Sequence, residues 1–152
     1  MKKIIRLVLC GILVLGLGLS AGWSALVIDS AAVNPASAPV GVATLVTVTA
    51  VITEPTVIVN SVNLQRLDTA GRVIAVIGNL HDDGLDGDLA VGDKTFTIRI
   101  TLFETALGPV TMRVSAAFQG SLLRPFSNPL TVNVTGASAT GITINRPRLW
   151  PT

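Results

Sequence analysis

Residues Asn79 to Phe96 read N-L-H-D-D-G-L-D-G-D-L-A-V-G-D-K-T-F. Five of the nine acidic residues of the chain fall within the twelve positions from Asp82 to Asp93, namely Asp82, Asp83, Asp86, Asp88 and Asp93. Gly84, Gly87 and Gly92 are interleaved with them. Carboxylates this close repel unless a cation or a set of backbone N–H donors sits among them. Two chemistries satisfy that requirement. One is a Ca²⁺ site built from Asp82, Asp86, Asp88 and Asp93, with hard oxygens and glycine-permitted bends. The other is a metal-free turn in which aspartates accept backbone N–H bonds two residues on. Counted from Asp82 as position one, Asp86, Gly87, Asp88 and Asp93 fall at five, six, seven and twelve, as in an EF-hand loop. Gly84 stands at position three, however, and Asp replaces the bidentate Glu at twelve. The flanks are strand-like, which excludes an EF-hand fold. Lys94 follows the last aspartate and favours the turn.

No catalytic set assembles around this loop. His81 is the sole histidine, and its plain reading is a loop-flank residue. Past the leader the sequence holds no G-x-S-x-G, no H-E-x-x-H and no second histidine for zinc. Glu54 and Glu104 sit at strand ends, and five acids in one short loop do not resemble two carboxylates facing across a cleft. The expectation is a protein that is not an enzyme.

The elements that hold the loop read as strands. Val46, Val48, Ala50 and Ile52 alternate with threonines, and Val62 and Leu64 lie in a strand from Ser61 to Leu67. Asp68 to Gly71 is a turn, followed by a short strand from Val73 to Ile77. Phe96, Ile98, Ile100 and Leu102 alternate with Thr97, Arg99 and Thr101. Val110 to Phe118 and Leu130 to Val134 repeat the pattern. Asn34 to Pro39 reads as a linker or loop, and a single helical turn is expected near Leu102 to Ala106. About seven short strands spaced by turns predict an all-β, immunoglobulin-like antiparallel β-sandwich. Its inward set is Val46, Val48, Ala50, Val62, Leu64, Phe96, Ile98, Ile100, Met112, Val114, Phe118, Leu130 and Val132.

The N-terminus sets the compartment. Lys2, Lys3 and Arg6 precede an apolar run from Leu7 to Leu19, then small residues. This is the layout of a signal peptide, with an uncleaved membrane anchor as the rival. The expected organisation is a signal peptide over 1–25, an N-terminal strand and linker over 26–43, a sandwich over 44–135, and a linker and tail over 136–152. Without the leader, eight basic residues face nine acidic ones, a net charge of −1. No basic patch with interleaved aromatics remains, so nucleic acid is not an expected partner. Cys10 lies in the leader, so an exported domain has no disulfide and depends for stability on its core alone or on its core and a metal.

The run from Val46 to Val134 resembles a bacterial secreted immunoglobulin-like domain. Its hallmark is similar to D-D-G-x-x-G-D-x-x-x-G-D-x-x-F, matched by Asp82, Asp83, Gly84, Gly87, Asp88, Gly92, Asp93 and Phe96. The closing S-N-P-L-T-V-N-V, Ser127 to Val134, is similar to the last strand of such domains. Those domains commonly carry glycine where this chain has Lys94. The resemblance implies an exported module, periplasmic, on the cell surface or extracellular, without catalytic activity. Its expected partner is a protein or cell-surface component, with membrane contact only if the N-terminal segment stays uncleaved. The alternative is a small secreted binding protein for a soluble ligand such as a carbohydrate. Outward aromatics for sugar stacking are scarce, which favours the interaction module.

Overall fold

Alternating valine, isoleucine and threonine favour extended backbone, because branched side chains pack well on a pleated, half-buried surface. The computed structural model describes residues 27–136. Within them lie eight strands: β1 (Ser30–Asn34), β2 (Ser37–Pro39), β3 (Thr44–Val51), β4 (Asn63–Leu67), β5 (Val73–Asn79), β6 (Thr95–Leu102), β7 (Gly108–Ser115) and β8 (Leu130–Thr135). They form a three-stranded sheet, β1-β3-β6, packed on a five-stranded sheet, β2-β8-β7-β4-β5. Every pairing is antiparallel except β2 with β8. The fold is the immunoglobulin-like sandwich expected from the alternations. The leader, Cys10 and the Arg146–Trp150 tail lie outside the described residues.

Two local expectations are corrected. The stretch from Asn34 to Pro39 is not a linker. Its two ends join different sheets: Ser30–Asn34 pairs with β3, and Ser37–Pro39 pairs with β8. Small residues and proline suit such a short edge strand, where one side of the backbone needs no partner. The stretch after Leu102 is not helical. It is a bend whose Glu104 reaches across to Arg66 on β4, with Nη1 to Oε1 at 2.6 Å. Among the described residues the one helical turn is a 3₁₀ turn at Val59–Ser61. Among the described residues no helix is long and apolar enough to cross a membrane.

The core lies between the sheets. Val46, Val48, Ala50 and Ile52 come from one side, and Leu64, Met112, Val114 and Val132 from the other. Phe96 and Phe118 are the largest buried side chains. Of the expected inward set, only Ile98 and Ile100 are half-buried, because β6 is the edge of its sheet. Leu80, fully buried, was not anticipated; it closes the core just before the acidic loop.

Candidate metal centre

The acidic loop is closed at its base by backbone. After β5 the chain leaves the five-stranded sheet and crosses to β6. His81 and Thr97 exchange both backbone hydrogen bonds, at 2.9 and 2.7 Å. The Ile52 N–H donates to the Lys94 carbonyl at 3.0 Å, tying the far end of the loop to the end of β3. The residues between can therefore curl on a fixed frame. The glycines supply the curl: Gly84, Gly87 and Gly92 hold φ of +71°, +100° and +76°. Among the described residues Asp86 (+48°) and Lys94 (+74°) are the two non-glycine residues with positive φ.

Each aspartate now has a distinct task. Asp82 Oδ1 accepts the N–H groups of Gly92 and Asp93, at 2.7 and 3.1 Å. Its Oδ2 accepts the Lys94 N–H at 3.1 Å. Asp83 and Asp93 each accept the N–H two residues on, from Leu85 and Thr95. Asp88 is buried, and its Oδ2 accepts the Gly84 N–H at 2.7 Å. The bonds to Asp83 and Asp93 are the two-residue turn bonds expected from the sequence, whereas those to Asp82 and Asp88 span four to twelve residues and close the loop on itself.

The same bonds leave particular oxygens free. A carboxylate offers about four lone-pair sites. Asp82 keeps one at Oδ2, and Asp93 Oδ2 accepts nothing. Asp88 Oδ1 is buried without any hydrogen-bond partner. Oxygens of Asp82, Asp88 and Asp93 lie within 4.8 Å of one another, a group that could hold a metal ion. An unpartnered buried carboxylate oxygen is costly unless a proton, a donor or a cation meets it. The donor chemistry fits a hard cation. Three carboxylates would leave roughly three to five positions of a Ca²⁺ shell to water or backbone carbonyls.

Asp86 lies outside this trio. It lines a small neighbouring pocket of about 220 Å³ with His81, Asp83, Thr97 and Arg99. Thr97 Oγ1, buried and unpartnered, belongs to the same wall. The side chain of His81 is exposed. Arg99 is the residue that sequence reasoning passed over. Its guanidinium packs so closely on Gly87 that a Cβ there would stand 2.5 Å from Nε. The signal was available: Arg99 is an outward position on β6, the strand that pairs with the loop base. Arg99 thus places a cation under the bend of the loop, whereas Lys94 contributes its backbone N–H to Asp82.

No protein-family model matches this sequence, and a search of curated proteins finds no match.

Proposed function

We propose that this protein is an exported, non-catalytic structural or protein-interaction module whose Asp82–Lys94 loop binds Ca²⁺ through Asp82, Asp88 and Asp93. The observation that carries the cation is the convergence of oxygens from Asp82, Asp88 and Asp93 within 4.8 Å, in a group where Asp88 also has a buried Oδ1 without a hydrogen-bond partner among the described residues. The export reading rests on the N-terminal run of Lys2, Lys3, Arg6 and Leu7 to Leu19, and on the resemblance to bacterial secreted immunoglobulin-like domains. The module reading rests on the sandwich itself, whose loops and sheet edges are its available surfaces. The loop is then a stiffened protrusion, and Ca²⁺ would supply the positive charge its five aspartates require.

Thermal melting tests the cation. A ligand that binds only the folded state adds about 2.7 kcal/mol at a hundredfold excess over Kd. For a domain of this size that corresponds to roughly 10 °C in Tm. Millimolar Ca²⁺ should raise Tm by about that amount, chelator should reverse it, and Asp88→Asn should abolish it. Equal melting in Ca²⁺ and in chelator would sink the cation and leave a hydrogen-bonded turn. A second reading, a binder of a small polar ligand such as a sugar, has support in the pocket of His81, Asp86, Thr97 and Arg99, with its unpartnered Thr97 hydroxyl. Chemical-shift changes at Thr97 on titration with monosaccharides would favour it.

A further inference from the structure

Among the described residues the outer edge of β5 has no strand beside it. Because five strands face only three, this strand overhangs the core. Val73 to Val76 are exposed, and Ile74 and Val76 are each 60% exposed. From Val73 to Asn79 the strand carries neither charge nor proline. Soluble proteins usually blunt an open edge with lysine, proline or a cover, since unpaired N–H and C=O groups recruit another strand. The two register shifts against β4 twist this edge but leave its outer side unpaired.

We propose that β5 pairs antiparallel with β5 of a second copy of this chain, joining two five-stranded sheets about a two-fold axis near Val76. The charges at the two ends of the strand select this occupant. At its start stands Arg72, with its side chain 80% exposed although Nε is bonded to Asp68. At its end stands the loop with five aspartates. An antiparallel pair brings each Arg72 to the acidic loop of the other copy, and symmetry repeats the contact. A parallel pair would set loop against loop. Apolar shape agrees with charge. The Arg72 end carries a groove of about 520 Å³ lined by Leu67, Ile74, Pro109 and Pro129 among others. The loop presents Leu85 and Leu89, 65% and 95% exposed. Antiparallel pairing brings those side chains toward the end of the sheet that holds the groove. The contact is isologous, so one patch serves both copies. It gives the interaction reading above its partner and rests on that reading, but it does not rest on the cation.

Cross-linking of the full chain tests the pairing. In a Cys10→Ser background, Val76→Cys places two thiols across the axis. Directly opposed residues of antiparallel strands have Cα atoms about 4.5–5.5 Å apart, within disulfide range. Mild oxidation should convert most of the Val76→Cys chain to dimer. Leu45→Cys, exposed on the other sheet, should stay monomeric. Arg72→Glu should slow cross-linking by about tenfold, and added salt should narrow the difference. Ile74→Lys should abolish it with Tm unchanged, since that side chain is exposed. Cross-linking of Val76→Cys no faster than of Leu45→Cys overturns the proposal. So does a rate indifferent to Arg72→Glu, and so does cross-linking that appears only when residues 137–152 are removed, which would make the tail the occupant. The Ca²⁺ melting shift is a separate readout, so either idea can fail alone.

Discussion

Lys94 shows how one residue sets the balance of the loop. It holds a φ of +74°, where a side chain costs about 1–2 kcal/mol. Glycine there would remove that strain but lose roughly 0.5–1 kcal/mol through its freer unfolded chain. Lys94→Gly should therefore change stability by less than about 1 kcal/mol in denaturant titration, because the two effects oppose each other. Its larger effect should fall on the cation: removing the positive charge that follows Asp93 in the chain should tighten Ca²⁺ severalfold by calorimetry. Asp86 and Asp88 separate in the same assay. Asp88→Asn should eliminate the heat of binding, whereas Asp86→Asn should retain it, since Asp86 lies outside the converging set. Gly87 belongs to this scale too. Alanine there meets Arg99, but a guanidinium at the end of a flexible side chain can move. The φ of +100° cannot be relieved so easily. Gly87→Ala should lose about 1–2 kcal/mol, and adding Arg99→Ala should not restore it.

The strand β6 joins loop to core. Phe96 begins its inward face one residue before Thr97 bonds the loop base, and it is 1% exposed. Phe96→Ala should cost about 3–5 kcal/mol. Against roughly 5–15 kcal/mol in total, the midpoint of urea unfolding should fall sharply. If Phe96→Ala unfolds at the wild-type midpoint, that face is not the core. Such strands were legible because one face is dry and the other wet: β3, β6, β7 and β8 all alternate. Of the edge strands, β5 and β6 were legible as strands, but β2 was not, and the exposure of β5 was not. β2 is Ser-Ala-Pro, a composition that turns also use, and only its pairing with β8 makes it a strand. β5 is apolar from Val73 to Gly78 yet mostly exposed, because it overhangs the opposite sheet. The site was legible in kind and not in detail. Spacing revealed the acidic glycine-rich turn, but the loop's reversal through Asp86 and Gly87 decides which carboxylates meet, and spacing along the chain does not encode that reversal.

At the scale of the molecule, acidic side chains outside the loop tie distant parts together. Asp29 Oδ2 accepts both the N–H and the hydroxyl of Thr53, fastening the start of β1 to the end of β3. Those bonds, the backbone one foremost, hold its carboxyl below the ordinary value of 3.8. Asp68 is held low in the same way, chiefly by the Arg72 N–H, in the turn between β4 and β5. Glu104 joins the two sheets through Arg66, and this bond raises the guanidinium pKa. A carboxyl with a depressed folded pKa stabilises the protein above its unfolded pKa, and that contribution disappears as pH falls through the folded value. Stability should therefore be flat from neutral pH down to about 5 with respect to Asp29 and Asp68, then decline as pH drops below 3.8, their ordinary value. Asp29→Asn should be less stable than wild type at pH 7 and should converge on it in strong acid. Urea melts at pH 7, 5, 3 and 2 would check this. A constant gap between the two proteins across that range would show that Asp29 acts by shape alone, and that the anchoring of β1 does not depend on its charge.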